Sequence, residues 1–161
     1  MASAAFTFYL GTHKPDWLGR FAVPLFVSNR TLAPRATYPR ALAGWALDSG
    51  GFSELSLFGR WATPAARYVE LTRRYAAEIG KLEWAAVQDW MCEPFMLEKT
   101  GLTVHEHQSR TIDSYYELTA MAPEIPWVPV LQGYTLAEYL QHLEMYQGRG
   151  IDLRSLPRVG L

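Results

Sequence analysis

A single cysteine in 161 residues, Cys92, excludes a disulfide framework and a cysteine-built zinc cluster. No apolar run approaches the roughly 20 residues of a membrane span, and Met1 to Phe6 carry none of the basic residues that open a secretory signal. The expectation is a cytoplasmic protein with no membrane partner. Neither sign of charge dominates, with 15 Lys+Arg against 16 Asp+Glu. Bulk attraction to nucleic acid is thereby excluded, while local basic strips are not. Repeats, low-complexity tracts and linkers are also missing, so residues 1–161 read as one domain. Aromatic rings, by contrast, are plentiful: six Trp, nine Tyr and seven Phe, beside ten Pro. They suit a packed α/β domain with a ring-lined cleft.

Short apolar runs alternate with helical stretches. The runs are Phe6–Leu10, Val23–Val27, Trp45–Leu47, Trp84–Val87 and Trp127–Leu131, with Leu156–Leu161 as the start of a sixth. Unbroken apolarity, rather than alternation, marks strands of a parallel sheet buried on both faces. Thr63-Pro64 reads as an N-cap and a first-turn proline, followed by a stripe of Tyr68, Leu71, Tyr75 and Ile79 up to Gly80. Thr103 and Glu106 have capping-box spacing ahead of Val104, Thr111, Ile112, Tyr115 and Leu118. Thr135 and Glu138 repeat it, with Leu136, Tyr139, Leu140 and Leu143 expected inward and Gly148 as the stop. Five to six strand–helix units fall short of the eight that close a (β/α)8 barrel of about 250 residues. The chain is therefore either an open doubly wound sheet or a barrel lacking its C-terminal part.

In parallel α/β folds the chemistry sits at the carboxyl ends of the strands. Those positions carry Gly11-Thr12-His13, Ser28-Asn29, Asp48-Ser49-Gly50-Gly51-Phe52, Gln88-Asp89-Trp90 and Gln132-Gly133-Tyr134. Two carboxylates, three amides and several glycines on one face can read a purine edge. A carboxylate accepts the paired N–H groups of guanine N1 and its 2-amino group, an amide and a backbone N–H donate to O6, and a ring stacks on the base. Read singly, each piece has a plainer meaning. Asp-Ser-Gly-Gly is a common turn, Asp89 is equally a helix cap, and Gln132-Gly133 on its own reads first as a strand-end turn. His13 reads as a rim residue and Cys92 as a passive small side chain without a basic neighbour. Trp90 and Phe95 suit a lid, a stack on a flanking base, or ring packing.

LDSGGF at Leu47–Phe52, QD at Gln88–Asp89 and VLQG at Val130–Gly133, in that order and each at a strand end, resemble the tRNA-guanine transglycosylase superfamily. The likeness is nearest to its deazapurine DNA-modification, or DpdA-like, branch and spans nearly the whole chain. The resemblance implies a (β/α)8 TIM-barrel fold, here without its last units. It also implies exchange of guanine in a polynucleotide for a 7-deazaguanine through a covalent ester. On that likeness Asp48 is the general acid/base, Ser49, Gly50 and Gly51 shape the turn, and Phe52 stacks on the base. Asp89 takes N1–H and the 2-amino group, Gln132 and Gly133 donate to O6, and Gly160 lies on the pocket floor. The superfamily's nucleophilic Asp falls beyond the matched motifs and has no counterpart here. Its zinc site does too, and the DNA branch does without one, so neither metal nor cofactor is expected.

The partners implied are guanine or 7-deazaguanine and DNA, with tRNA second. A homo-oligomer or a complementing chain is also expected, because an unclosed barrel leaves open edges. Arg20, Arg30, Arg35 and Arg40, in a stretch without acids, form either a phosphate strip or an ordinary solvated face. Two other functions remain: an inactive purine- or nucleic-acid-binding module of the same fold, and an unrelated barrel hydrolase or isomerase using the two Asp.

Overall fold

The computed structural model describes residues 6–161; the first five residues, read above for a signal sequence, lie outside them. Five strands form one all-parallel sheet: β1 (Leu10–Thr12), β2 (Leu25–Ser28), β3 (Trp45–Asp48), β4 (Leu82–Ala86) and β5 (Trp127–Val128). Between and after them run α1 (Asn29–Leu32), α2 (Gly51–Phe58), α3 (Ala65–Glu78), α4 (Pro94–Thr100), α5 (Val104–Met121) and α6 (Leu136–Gly148). The strands lie in the order β1-β2-β3-β4-β5. That order never reverses, so the switch point that defines a doubly wound sheet is absent among the described residues.

Ladder pairing trims the expected strands. Leu10 of β1 pairs Leu25 of β2, which leaves Phe6 and Phe8 ahead of any partner and exposed. The Trp127–Leu131 run pairs with β4 only as far as Val128, because Pro129 has no N–H to offer. Beyond it a lone bridge, Val130 to Gly160, is all that forms of the expected sixth strand. A helix appears where a turn was read, α2 beginning inside the Asp-Ser-Gly-Gly segment, and a further helix, α4, follows Glu93.

The main core lies between one sheet face and α3 and α5. Leu25, Val27, Trp45, Leu47 and Ala85 pack there against Tyr68, Leu71, Tyr75 and Leu118. Each Leu or Val buried in this way contributes roughly 1.5–3 kcal/mol. Two polar side-chain atoms inside it are matched by backbone carbonyls. Trp45 Nε1 donates to Gly80 O at 2.8 Å, and Tyr68 OH to Ala86 O at 2.8 Å. On the other sheet face Phe26 and Trp84 stack with ring centroids 5.2 Å apart, only half-buried. A cavity of about 620 Å³ opens beside them, lined by Tyr9, Trp84, Val128 and Arg158 among others. Burial on both faces was expected; only the helix-covered face is sealed.

Two capping boxes form as read, Thr103 with Glu106 and Thr135 with Glu138. Thr63 does not cap α3. Its N–H and hydroxyl bind the buried Glu54 carboxylate, and Pro64 occupies the cap position. The α6 face differs most from expectation: Leu136 is 76% and Leu140 52% exposed, while His142 and Tyr146 are fully buried.

Candidate functional site

Asp48 ends β3, and Ser49-Gly50 turns the chain into α2. Gly50 sits at φ +84°, where a Cβ is strained and would also fall 2.8 Å from Arg30 Cγ. A Cβ on Gly51 would fall 2.9 Å from Met91 Cε and 3.2 Å from Asp89 O. Without side chains here, the first turn of α2 rests directly on the segment after β4. That contact lets Ser49 Oγ, which accepts from Gly51 N–H, donate to Asp89 Oδ1 at 3.0 Å. Trp61 Nε1 holds the Asp89 carbonyl at 3.1 Å.

From the end of β5, Gln132 Nε2 donates to the other Asp89 oxygen at 2.6 Å. Asp48 is half-buried and accepts no hydrogen bond among the described residues. Burial pushes the Asp89 pKa up to about 6; the Ser49 hydrogen bond lowers it, the nearby Asp48 charge raises it, and the Gln132 bond again lowers it. The structure thus brings Asp48, Ser49, Asp89 and Gln132 together at the carboxyl edge of the sheet. The Asp48 carboxylate thus stands beside one whose charge is costly.

Gln132 is gripped from behind. Its N–H donates to His142 Nδ1 at 2.8 Å, and His142 Nε2 donates to Gln108 O at 3.1 Å. Burial pushes His142 down to about 4, so the ring is neutral with its proton on Nε2. Gln108 Nε2 donates to Gln132 O at 2.9 Å and to Glu138 O at 2.8 Å. Gly133 must be glycine, since a Cβ would stand 2.8 Å from Tyr139 N. The N–H of Gly133 has no partner among the described residues.

The other expected residues scatter. Phe52 is 58% exposed and leans on Phe95, centroids 5.9 Å apart, at the surface of α2 and α4. Trp90 is buried, with the Arg110 guanidinium 4.6 Å above its ring, so it packs rather than forming a lid. Gly160 lies against Val130 at the last bridge. The four arginines do not make one strip. Arg30 stands beside Glu54 at 3.7 Å near the cluster, and Arg35 is paired with Asp16 at 2.6 Å. Arg40 reaches Ala77 O near the opposite end of the strands, and Arg20 is exposed after the turn at Pro15–Gly19. Burial pushes the Cys92 thiol up to about 12, in keeping with a passive role. A separate cavity of about 270 Å³ lies between Trp61, Gln88, Trp90 and Arg110.

Sequence reasoning missed Gln108 and His142. The signal for Gln108 was a polar residue four positions from both Val104 and Ile112, inside an apolar stripe. For His142 the leucines on the neighbouring face masked it.

Together these features define an α/β protein with a carboxylate-centred polar site at the ends of parallel strands. Within that class the chain belongs to the DpdA family: the model for DeoxyPurine in DNA protein A matches residues 5–161. Membership points to a role in deazapurine modification of DNA. No curated protein and no solved structure matches the chain.

Proposed function

We propose that this chain recognises guanine and 7-deazaguanine at the Asp48–Asp89–Gln132 cluster and takes part in their exchange in DNA by a transglycosylase mechanism. The scaffold is a (β/α)8-type barrel wall, a reading supported by the unreversed strand order. The observation that carries the proposal is the Asp89 carboxylate, held by Ser49 and Gln132 beside Asp48, which accepts no hydrogen bond among the described residues. Each carboxylate oxygen keeps a further lone pair for N1–H and the 2-amino group. The second hydrogen of Gln132 Nε2 and the Gly133 N–H remain for O6. Phe52 supplies a ring at the site's edge, and of the four arginines read in the sequence Arg30, whose Cγ lies against the Gly50 turn, is the one for a phosphate.

In a double displacement, a carboxylate attacks the anomeric carbon as guanine leaves with the bond electrons. The deazaguanine ring nitrogen then loses its proton, attacks the same carbon and releases the carboxylate. No residue here matches that nucleophile; the roles of this chain are base recognition and proton handling. Asp48 is the group placed to take the proton.

Titration calorimetry of the 161-residue chain with guanine and adenine tests the reading. Adenine presents an unprotonated N1 and a 6-amino donor, so it leaves Asp89 and the O6 donors unmatched. Guanine is expected to bind at least about 100-fold more tightly. Equal affinity for the two purines overturns the assignment.

A further inference from the structure

Gln132 is unusual in having both its backbone N–H and its backbone carbonyl held by side chains from helices, not by a neighbouring strand. The N–H goes to His142 of α6, and the carbonyl to Gln108 of α5. Both side chains are fully buried. The Gln108 amide cannot be turned over. Its Nε2 faces two carbonyl oxygens, those of Gln132 and Glu138, and a reversed amide would set oxygen against both. This orientation leaves Gln108 Oε1 buried without a partner. An orphaned buried acceptor is costly, and a feature retained at such a cost calls for a reason beyond packing.

The reason lies in the peptide plane. The Gln132 carbonyl and the Gly133 N–H belong to one trans peptide, so they point in opposite directions. Drawing the carbonyl toward Gln108 aims the Gly133 N–H the other way, where it meets no partner among the described residues. The α6 backbone closes the side of Gly133 where a Cβ would stand, 2.8 Å from Tyr139 N, which crowds the peptide on that side. His142 fixes the preceding peptide in the same manner, accepting from Gln132 N–H while anchored on Gln108 O. The result is a donor set in advance by two buried side chains that themselves touch no ligand.

We infer that Gln108 and His142 are positioning residues that aim the Gly133 N–H at O6 of the bound base and so set the selectivity for a 6-oxo purine. This rests on the base-reading proposed above and extends it to the residues that enforce it.

The test compares guanine with 6-thioguanine, which keeps N1–H and the 2-amino group but offers a weaker acceptor at position 6. Affinities are measured by titration calorimetry on the full chain and four variants. Wild type is expected to favour guanine by about ten-fold, the worth of one well-aimed hydrogen bond. Gln108→Met is nearly isosteric and removes both donors, so the ratio should fall by several-fold while the Asp89 and Gln132 side-chain contacts persist. His142→Asn retains an acceptor near the Nδ1 position and should keep most of the ratio, whereas His142→Leu should lose it. A residue that only supported the fold would weaken both ligands alike and leave the ratio intact. A guanine preference unchanged in folded Gln108→Met overturns the inference and spares the base-reading. If Gln108→Met does not fold, the His142 pair decides by the same criterion: equal ratios in Asn and Leu variants overturn it. Wild type binding neither purine overturns the base-reading, and this inference with it.

Discussion

Asp89 concentrates the conflict between stability and function in one side chain. Its pKa is raised from 3.8 to about 6, so the folded state takes up a proton that the unfolded state does not in that interval. The stability this group contributes is therefore full below about pH 4 and lost as the pH rises through 6. A shift of two units corresponds to about 3 kcal/mol. Asp89→Asn removes the ionisation, and the amide can still meet Ser49 and a turned Gln132. We expect the variant to be more stable at pH 7.5 by about 2–3 kcal/mol, with the gain vanishing near pH 4, as measured by urea unfolding at both pH values. The same change should weaken guanine binding, because the amide accepts only one of the two N–H groups. In wild type, guanine affinity should fall as the pH drops below 6, since a protonated Asp89 accepts only one of them too. Affinity that is flat from pH 5 to 8 would remove Asp89 from base recognition.

At the scale of elements, α6 shows why a leucine count misleads. Leu136 and Leu140 share stripe spacing with Leu143, yet they are exposed; Leu143 packs partly against Ile112 and Leu153, and the fully buried residues of α6 are His142 and Tyr146. The capping box sets where α6 starts, but Gly133 sets how closely it approaches, and the approach selects the buried face. Leu140→Gln should alter stability by no more than about 0.5 kcal/mol. Tyr146→Ala, which empties a fully buried site and loses the bond to Val130 O at 3.1 Å, should lower it by about 3–5 kcal/mol. Denaturant midpoints of the two variants measure the contrast. The outcome to watch is the ordering, because an inward Leu140 would reverse it.

For the whole molecule, β1 and β5 are the ends of the sheet order, and apolar side chains crowd near β1. Leu10, Phe21 and Val23 are exposed around a cavity of about 310 Å³ beside β1, and Leu136 and Leu140 are exposed on α6. Unpaired strand edges and exposed apolar groups favour association. We therefore expect the 161-residue chain to associate as its concentration rises, with sedimentation velocity following the shift. Replacing Phe21 and Val23 by Ser should reduce it. A single monomer boundary at every concentration would show that these surfaces are tolerated as they stand.

Much of this architecture was legible in order and type. Continuous apolar runs closed by polar strand ends led to a parallel sheet, and Thr103–Glu106 and Thr135–Glu138 marked two helix starts, because those signals depend on neighbours within a few residues. The DSGG, QD and QG segments likewise placed Asp48, Asp89 and Gln132 at one sheet edge, since strand ends in a parallel sheet share a side. Long-range geometry decided the rest. Sequence spacing gives no distance between segments 40 residues apart, so the Ser49–Asp89–Gln132 bonds and the scattering of the four arginines had to come from packing. The same holds for Gln108 and His142: a polar residue in an apolar stripe declares that it has a buried partner, and only the approach of another helix says which one.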